Sequence, residues 1–139
     1  MALSSAVYLA DKSALARFQI PAVRQRLRPL LQDGRIATYA IVDLEVLYSS
    51  RNLRDYEEIL DERSSLDAVP ITPEVMQRAV DLQHELARRG QHRVPIPDLV
   101  ISAAAAAAGL IVLHYDSDFV RLAAAGGASQ EWVVTQGSV

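Results

Sequence analysis

Cysteine is absent from the 139 residues. That excludes a disulfide scaffold, a thiol nucleophile and a cysteine-bearing zinc site. Lysine is nearly absent: of 14 basic residues, Lys12 alone is lysine and the rest are arginine. Glycine is sparse, with 6 residues, and forms neither a Gly-x-Gly-x-x-Gly run nor a Walker-type loop, so a nucleotide cradle is not expected. The three histidines, His84, His92 and His114, are too scattered for a histidine metal cluster. A net charge of −3 gives no uniform basic surface, although arginines can still form a local phosphate-binding stripe on an acidic protein. No basic residue precedes Lys12, so the segment from Ala2 to Ala10 lacks the charged start of a secretory signal. The longest uncharged run, Leu99 to Tyr115, is at the short edge of membrane-spanning length. Its alanines are weakly apolar and Gly109 interrupts it, so it reads as a helix followed by a strand. A soluble, cytoplasmic protein is expected.

Half of the residues are hydrophobic, enough to bury one sizeable core, and the length suits a single domain over residues 1–139. Short apolar runs read as strands at Ala6 to Ala10, Arg35 to Tyr39, Leu66 to Ile71, Leu110 to Tyr115 and Trp132 to Val134. Helical spacing fills the intervals. Pro21 suits a first helical turn, and Gly34 a stop. Thr72-Pro73-Glu74 combines a capping hydroxyl, a proline at the first position and an acid in the first turn. Gln91 to Pro97 reads as a loop stiffened by Pro95 and Pro97, and Asp98 as the opening of the alanine-rich helix that stops at Gly109. Alternating strands and helices indicate an α/β fold with a mostly parallel sheet.

The acids carry the functional signal. In an open parallel sheet, ligands bind beyond the carboxyl ends of the strands. Asp11 ends the first expected strand. Asp116 ends the fourth, with Asp118 two residues on. Asp98 sits at a helix start, and Glu45 lies in the helix after the second strand. Taken singly, each has a structural explanation. Asp11 and Asp98 suit helix caps, Asp116-Ser117-Asp118 suits a strand-to-helix turn, and Glu45 suits a solvated helix face. Asp33, Asp43, Asp61 and Asp67 read as surface residues. As a set, carboxylates gathered in one cleft repel each other unless a cation lies between them, and magnesium or manganese suits an oxygen-only site. Such a site fits phosphodiester cleavage, where metal activates water and offsets charge on the phosphate.

Four stretches, in order along the chain, resemble the PIN-domain ribonucleases, and within them the VapC toxins. They are Tyr8-Leu9-Ala10-Asp11-Lys12-Ser13-Ala14-Leu15, Leu44-Glu45-Val46-Leu47-Tyr48-Ser49, Ile96-Pro97-Asp98-Leu99-Val100-Ile101-Ser102-Ala103, and Leu113-His114-Tyr115-Asp116-Ser117-Asp118-Phe119. The resemblance implies a five-stranded parallel sheet between helices in a three-layer α/β/α arrangement. It implies that Asp11, Glu45, Asp98 and Asp116 form the acidic quartet that binds Mg²⁺ or Mn²⁺. Asp118 would be a further metal-site acid. Ser13 would supply a hydroxyl that bonds a metal ligand or its water. It further implies cleavage of structured RNA (tRNA or rRNA), arrest of translation, a homodimer, and silencing by a cognate VapB-type antitoxin in a toxin–antitoxin hetero-oligomer. Two departures are mild: Ser49 and Val120 stand where many relatives carry a glycine or small residue and a polar residue, respectively.

RNA approaching an acidic cleft needs flanking positive charge. His92 and Arg93, in the loop before Asp98, are the first candidates, and Lys12 beside Asp11 is the next. The remaining arginines read as solvated helix faces. His114 reads as a strand residue and Trp132 as core or interface. Two other readings stay open. One is a small-molecule phosphatase using Asp116 and Asp118, although that motif normally opens its domain. The other is a non-catalytic PIN or receiver-like binding module, although a receiver needs a late lysine that this chain lacks.

Overall fold

The structure is a computed structural model, and it describes residues 5–139. The first strand, β1 (Tyr8–Ala10), leads through a short helix α1 (Lys12–Leu15) into α2 (Pro21–Gln32). Pro21 occupies the first turn of α2, where its missing N–H costs nothing. Next come β2 (Ile36–Ala37), α3 (Ala40–Tyr48) and α4 (Leu53–Ser64). α5 (Pro73–Arg88) begins where the sequence predicts: the Thr72 hydroxyl accepts from the Val75 N–H at 3.2 Å, a cap worth about 1 kcal/mol. α6 (Ile96–Ala108) ends at Gly109, whose φ of 69° is the left-handed conformation that a helix stop favours. β3 (Ile111–His114), α7 (Asp118–Ala124) and β4 (Gln130–Trp132) complete the described chain.

The sheet has the order β2-β1-β3-β4, and every pairing is parallel. Helices cover both faces, which explains why its strands read as continuous apolar runs. Side chains alternate between two cores, as the pleat requires. Leu9, Ala37 and Val112 face α3, α5, α6 and α7, with Leu86, Ile101 and Phe119 in the same cluster. Ala10, Ile36 and Leu113 face Val23 and Leu27 of α2. The result is the expected α/β/α layering.

Three expectations need correction. The described sheet has four strands, not five. Leu66 to Ile71 makes one parallel bridge, Ala68 to Thr38, in which Thr38 donates to Asp67 O and accepts from Val69 N–H. Pro70 then has no N–H to continue the ladder. The helix carrying Asp98 starts earlier, at Ile96. Proline is tolerated in a first helical turn, so Pro97 lies inside the helix and Asp98 is its third residue. The last strand lies at Gln130–Trp132 rather than at Trp132 to Val134.

Candidate metal centre

Chain reversal places the site. β1 is flanked by β2 on one side and β3 on the other, so the connections leave it in opposite directions and open a crevice past the strands' carboxyl ends. Asp11 follows β1, and its N–H donates to Leu113 O of β3 at 2.9 Å. The Asp11 carboxylate caps α1 by accepting from Ser13 N–H through Oδ2 at 3.0 Å. Its other oxygen, Oδ1, is buried and has no hydrogen-bond partner. The cap explanation and the functional one therefore use different oxygens of one side chain.

Asp98 is only 7 % exposed. Burial, followed by repulsion from Asp11, Asp116, Asp118 and Glu45, pushes its carboxyl up to about 8. Asp116 lies past β3; its Oδ1 accepts from Asp118 N–H at 2.9 Å, which starts α7. Asp98, Asp116 and Asp118 each bring a carboxylate oxygen within 4.8 Å of the others. Asp118 is also paired with Arg121. Glu45 approaches from α3. Its Oε1 is buried without a partner, and its Oε2 lies 3.7 Å from Lys12 Nζ. Burial first, then Asp11, raises its carboxyl, and Lys12 partly offsets them.

The crevice thus brings together all five sequence-predicted acids. Two unpaired buried carboxylate oxygens and one acid driven to hold a proton near neutrality are a costly arrangement for a protein alone. A divalent cation with oxygen ligands relieves strain of this kind, so the donor set fits one.

Other candidates fall differently. The Ser13 hydroxyl accepts from Tyr115 N–H at 2.9 Å, tying α1 to the loop after β3, while it is Ser13's backbone that holds Asp11. His92 and Arg93 are exposed in the loop before α6. Arg26, Arg51, Arg54 and Arg89 are engaged with Glu131, Asp55, Glu58 and Glu85. Asp43 is not a free surface acid. It accepts from the Thr38 hydroxyl at 2.7 Å and from Arg63 Nε at 2.9 Å, and Arg63 also donates to Thr38.

His114 has more to do than fill a strand position. It is fully buried between Phe119 and Trp132, its Nδ1 accepts from Asp116 N–H at 3.0 Å, and its Nε2 lies 2.6 Å from Gln130 Oε1. Accepting at Nδ1 fixes the neutral tautomer with the proton on Nε2. Burial is the first cause of its lowered pKa. The sequence hint was its place two residues before Asp116. Beside Glu45, a cavity of about 880 Å³ runs between α1, α2, α3 and α4, with Leu15, Phe18, Val46, Ile59 and Leu66 among its apolar walls.

Residues 8–125 match the sequence profile of the PIN domain. The chain belongs to the PIN-domain family. Ribonuclease VapC21 of Mycobacterium tuberculosis is 44% identical over 133 residues, covering 94% of this chain and 96% of the relative. Ribonuclease VapC51 of the same organism is 41% identical over 132 residues, covering 95% and 96%. These identities place the chain among the VapC ribonucleases within the PIN family. A structure of VapBC-5, a member of the VapBC family of toxin–antitoxin systems from Mycobacterium tuberculosis, superposes with a TM-score of 0.61 at 26% identity, covering 92% of this chain and 97% of that one. No helix among the described residues is long and apolar enough to cross a membrane.

Proposed function

We propose that this chain is a metal-dependent endoribonuclease, the toxin of a type II toxin–antitoxin pair, with residues 1–139 forming one PIN domain. The observation that carries the proposal is the crevice where burial, and then repulsion from its acidic neighbours, raises Asp98 to about 8 while Asp11 and Glu45 each keep a buried oxygen unpaired. In a chain 44% identical to a protein named Ribonuclease VapC21, this is the chemistry of a nuclease centre.

Asp11, Asp98 and Asp116 would hold Mg²⁺ or Mn²⁺, with Asp118 as a further ligand. When bound, the cation supplies a water of lowered pKa and positive charge opposite the phosphate oxygens. The chain's own residues position that chemistry. Ser13 N–H fixes Asp11 Oδ2 and so leaves Oδ1 free for a ligand. His114 fixes the Asp116 backbone. Glu45, on α3, would orient the attacking water. Lys12, His92 and Arg93 would contact the RNA backbone at the rim.

The cavity beside Glu45 suits the C-terminal segment of a VapB-type antitoxin, with apolar side chains against Phe18, Val46 and Ile59 and a cationic one reaching Glu45. Leu44, Tyr48 and Leu53 are 60%, 92% and 72% exposed, giving α3 and α4 an apolar face suited to a homodimer and a toxin–antitoxin assembly. A phosphatase reading that uses Asp116 and Asp118 leaves Asp11, Glu45 and Asp98 without work.

The test is induced expression of the wild type and of Asp98→Asn in bacteria lacking the antitoxin, with new RNA 5′ ends mapped. Growth arrest with discrete cuts that vanish in the variant is the expected result. A folded wild type that neither arrests growth nor cuts RNA, but releases phosphate from small phosphate esters, would refute the proposal.

A further inference from the structure

The five acids of the crevice are not equivalent. Asp98, Asp116 and Asp118 converge on one another, whereas Glu45 turns its Oε2 toward Lys12 Nζ at 3.7 Å. Lys12 is the chain's sole lysine among 14 basic residues, and it stands next to Asp11. A lysine ammonium is a compact point charge with three donors, nearer in shape to a metal ion than the planar guanidinium found elsewhere in this chain. Its side chain is 56% exposed, so the stem reaches in from solvent while the ammonium meets a carboxylate that is 19% exposed.

Charge sets the capacity of the site. Arg121 offsets Asp118 and Lys12 offsets Glu45, so three carboxylates remain uncompensated: Asp11, Asp98 and Asp116. One divalent cation leaves that group with a single net negative charge. A second would need Glu45, whose charge the ammonium already offsets. We propose that Lys12 is the crevice's built-in second cation: it occupies Glu45, limits the chain to one divalent ion, and offers its remaining N–H donors to the RNA phosphate. This rests on the metal-dependent reading above and goes beyond it by fixing the metal count and the residue responsible.

Binding of Mn²⁺ to the full-length protein, counted by calorimetry and by the electron spin resonance signal of free Mn²⁺, tests it directly. The wild type and Lys12→Arg are expected to bind one ion. Lys12→Met and Lys12→Gln remove the charge from an exposed stem and are expected to bind two, the second weaker. The double variant Lys12→Met/Glu45→Gln is expected to return to one. RNA cleavage by Lys12→Met is expected to depend on Mn²⁺ sigmoidally, where the wild type follows a simple hyperbola. Two ions on the wild type, or one ion on both neutral variants, would overturn the role of Lys12 and leave the ribonuclease reading standing. No Mn²⁺ on a wild type that still melts cooperatively would overturn the metal-dependent reading as well.

Discussion

Replacing Asp98 by asparagine is expected to stabilise the metal-free protein while abolishing its activity. The side chain is only 7 % exposed, and its carboxyl rises from 3.8 to about 8 because burial and four neighbouring acids oppose its charge. In the folded state it therefore holds a proton that the unfolded chain has already released. Stability is lost as pH climbs from about 4 to about 8, and is level above that. At 1.36 kcal/mol per unit, the loss at pH 7 reaches a ceiling of about 4 kcal/mol. Relaxation of the crevice reduces it, so a gain on the order of 2–4 kcal/mol is expected from asparagine, which has no proton to lose. Urea unfolding in a chelator, followed by circular dichroism at pH 5 and pH 8, reads this as a gap that opens with pH. Subtracting the two proteins' curves largely removes contributions from Glu45 and His114. Excess Mn²⁺ is expected to close most of that gap, stabilising the wild type by about 3 kcal/mol at a hundredfold excess over Kd and leaving the variant unchanged. Wild-type and variant stabilities that run parallel from pH 5 to pH 8 would refute the electrostatic argument.

Further consequences concern the scaffold. A Cβ on Gly127 would lie 2.5 Å from Ser102 Oγ and 2.8 Å from Leu122 O, so Gly127→Ala is expected to cost about 1–3 kcal/mol, read as a lower Tm. Arg63→Ala leaves Asp43 half-buried without its cation and removes a donor to Thr38; a loss of about 3 kcal/mol in urea unfolding is expected, and a change under 0.5 kcal/mol would refute the pairing. His114→Leu removes the acceptor for Asp116 N–H, so Mn²⁺ affinity is expected to fall about tenfold or more while far-ultraviolet dichroism stays native. Because burial lowers the His114 pKa, its contribution to stability is present above the unfolded value of 6.5 and declines as pH falls below it; the leucine variant is expected to lack that decline.

The two orphaned oxygens and the raised Asp98 also show how stability and function oppose each other here. Each is unfavourable in the protein alone. The rest of the fold compensates with two well-filled cores that bury Leu9, Leu27, Leu86, Ile101 and Phe119. On the proposed reading, a bound cation would draw much of its affinity from repulsion held in place by the sheet.

Much of this was legible in sequence because it is local. Apolar runs with helical intervals announce a parallel sheet, Thr72-Pro73 starts α5, Gly109 stops α6, and Asp11 and Asp116 follow the strands they were expected to follow. Glu45 and Asp98 are singled out by their place in ordered motifs. What chain order cannot carry is long-range pairing. Nothing near Leu66 announces that its segment would meet β2 through a single bridge, because pairing depended on where β2 ends and on the missing N–H of Pro70. Asp43 looked like a surface acid because its partner Arg63 lies 20 residues away and one helix over. The link between Ser13 and Tyr115 spans 102 residues. The sequence by itself determined which residues carry charge and which segments are apolar. Only the tertiary structure decided which carboxylate oxygens lose their water together, because that desolvation depends on which distant elements pack around them.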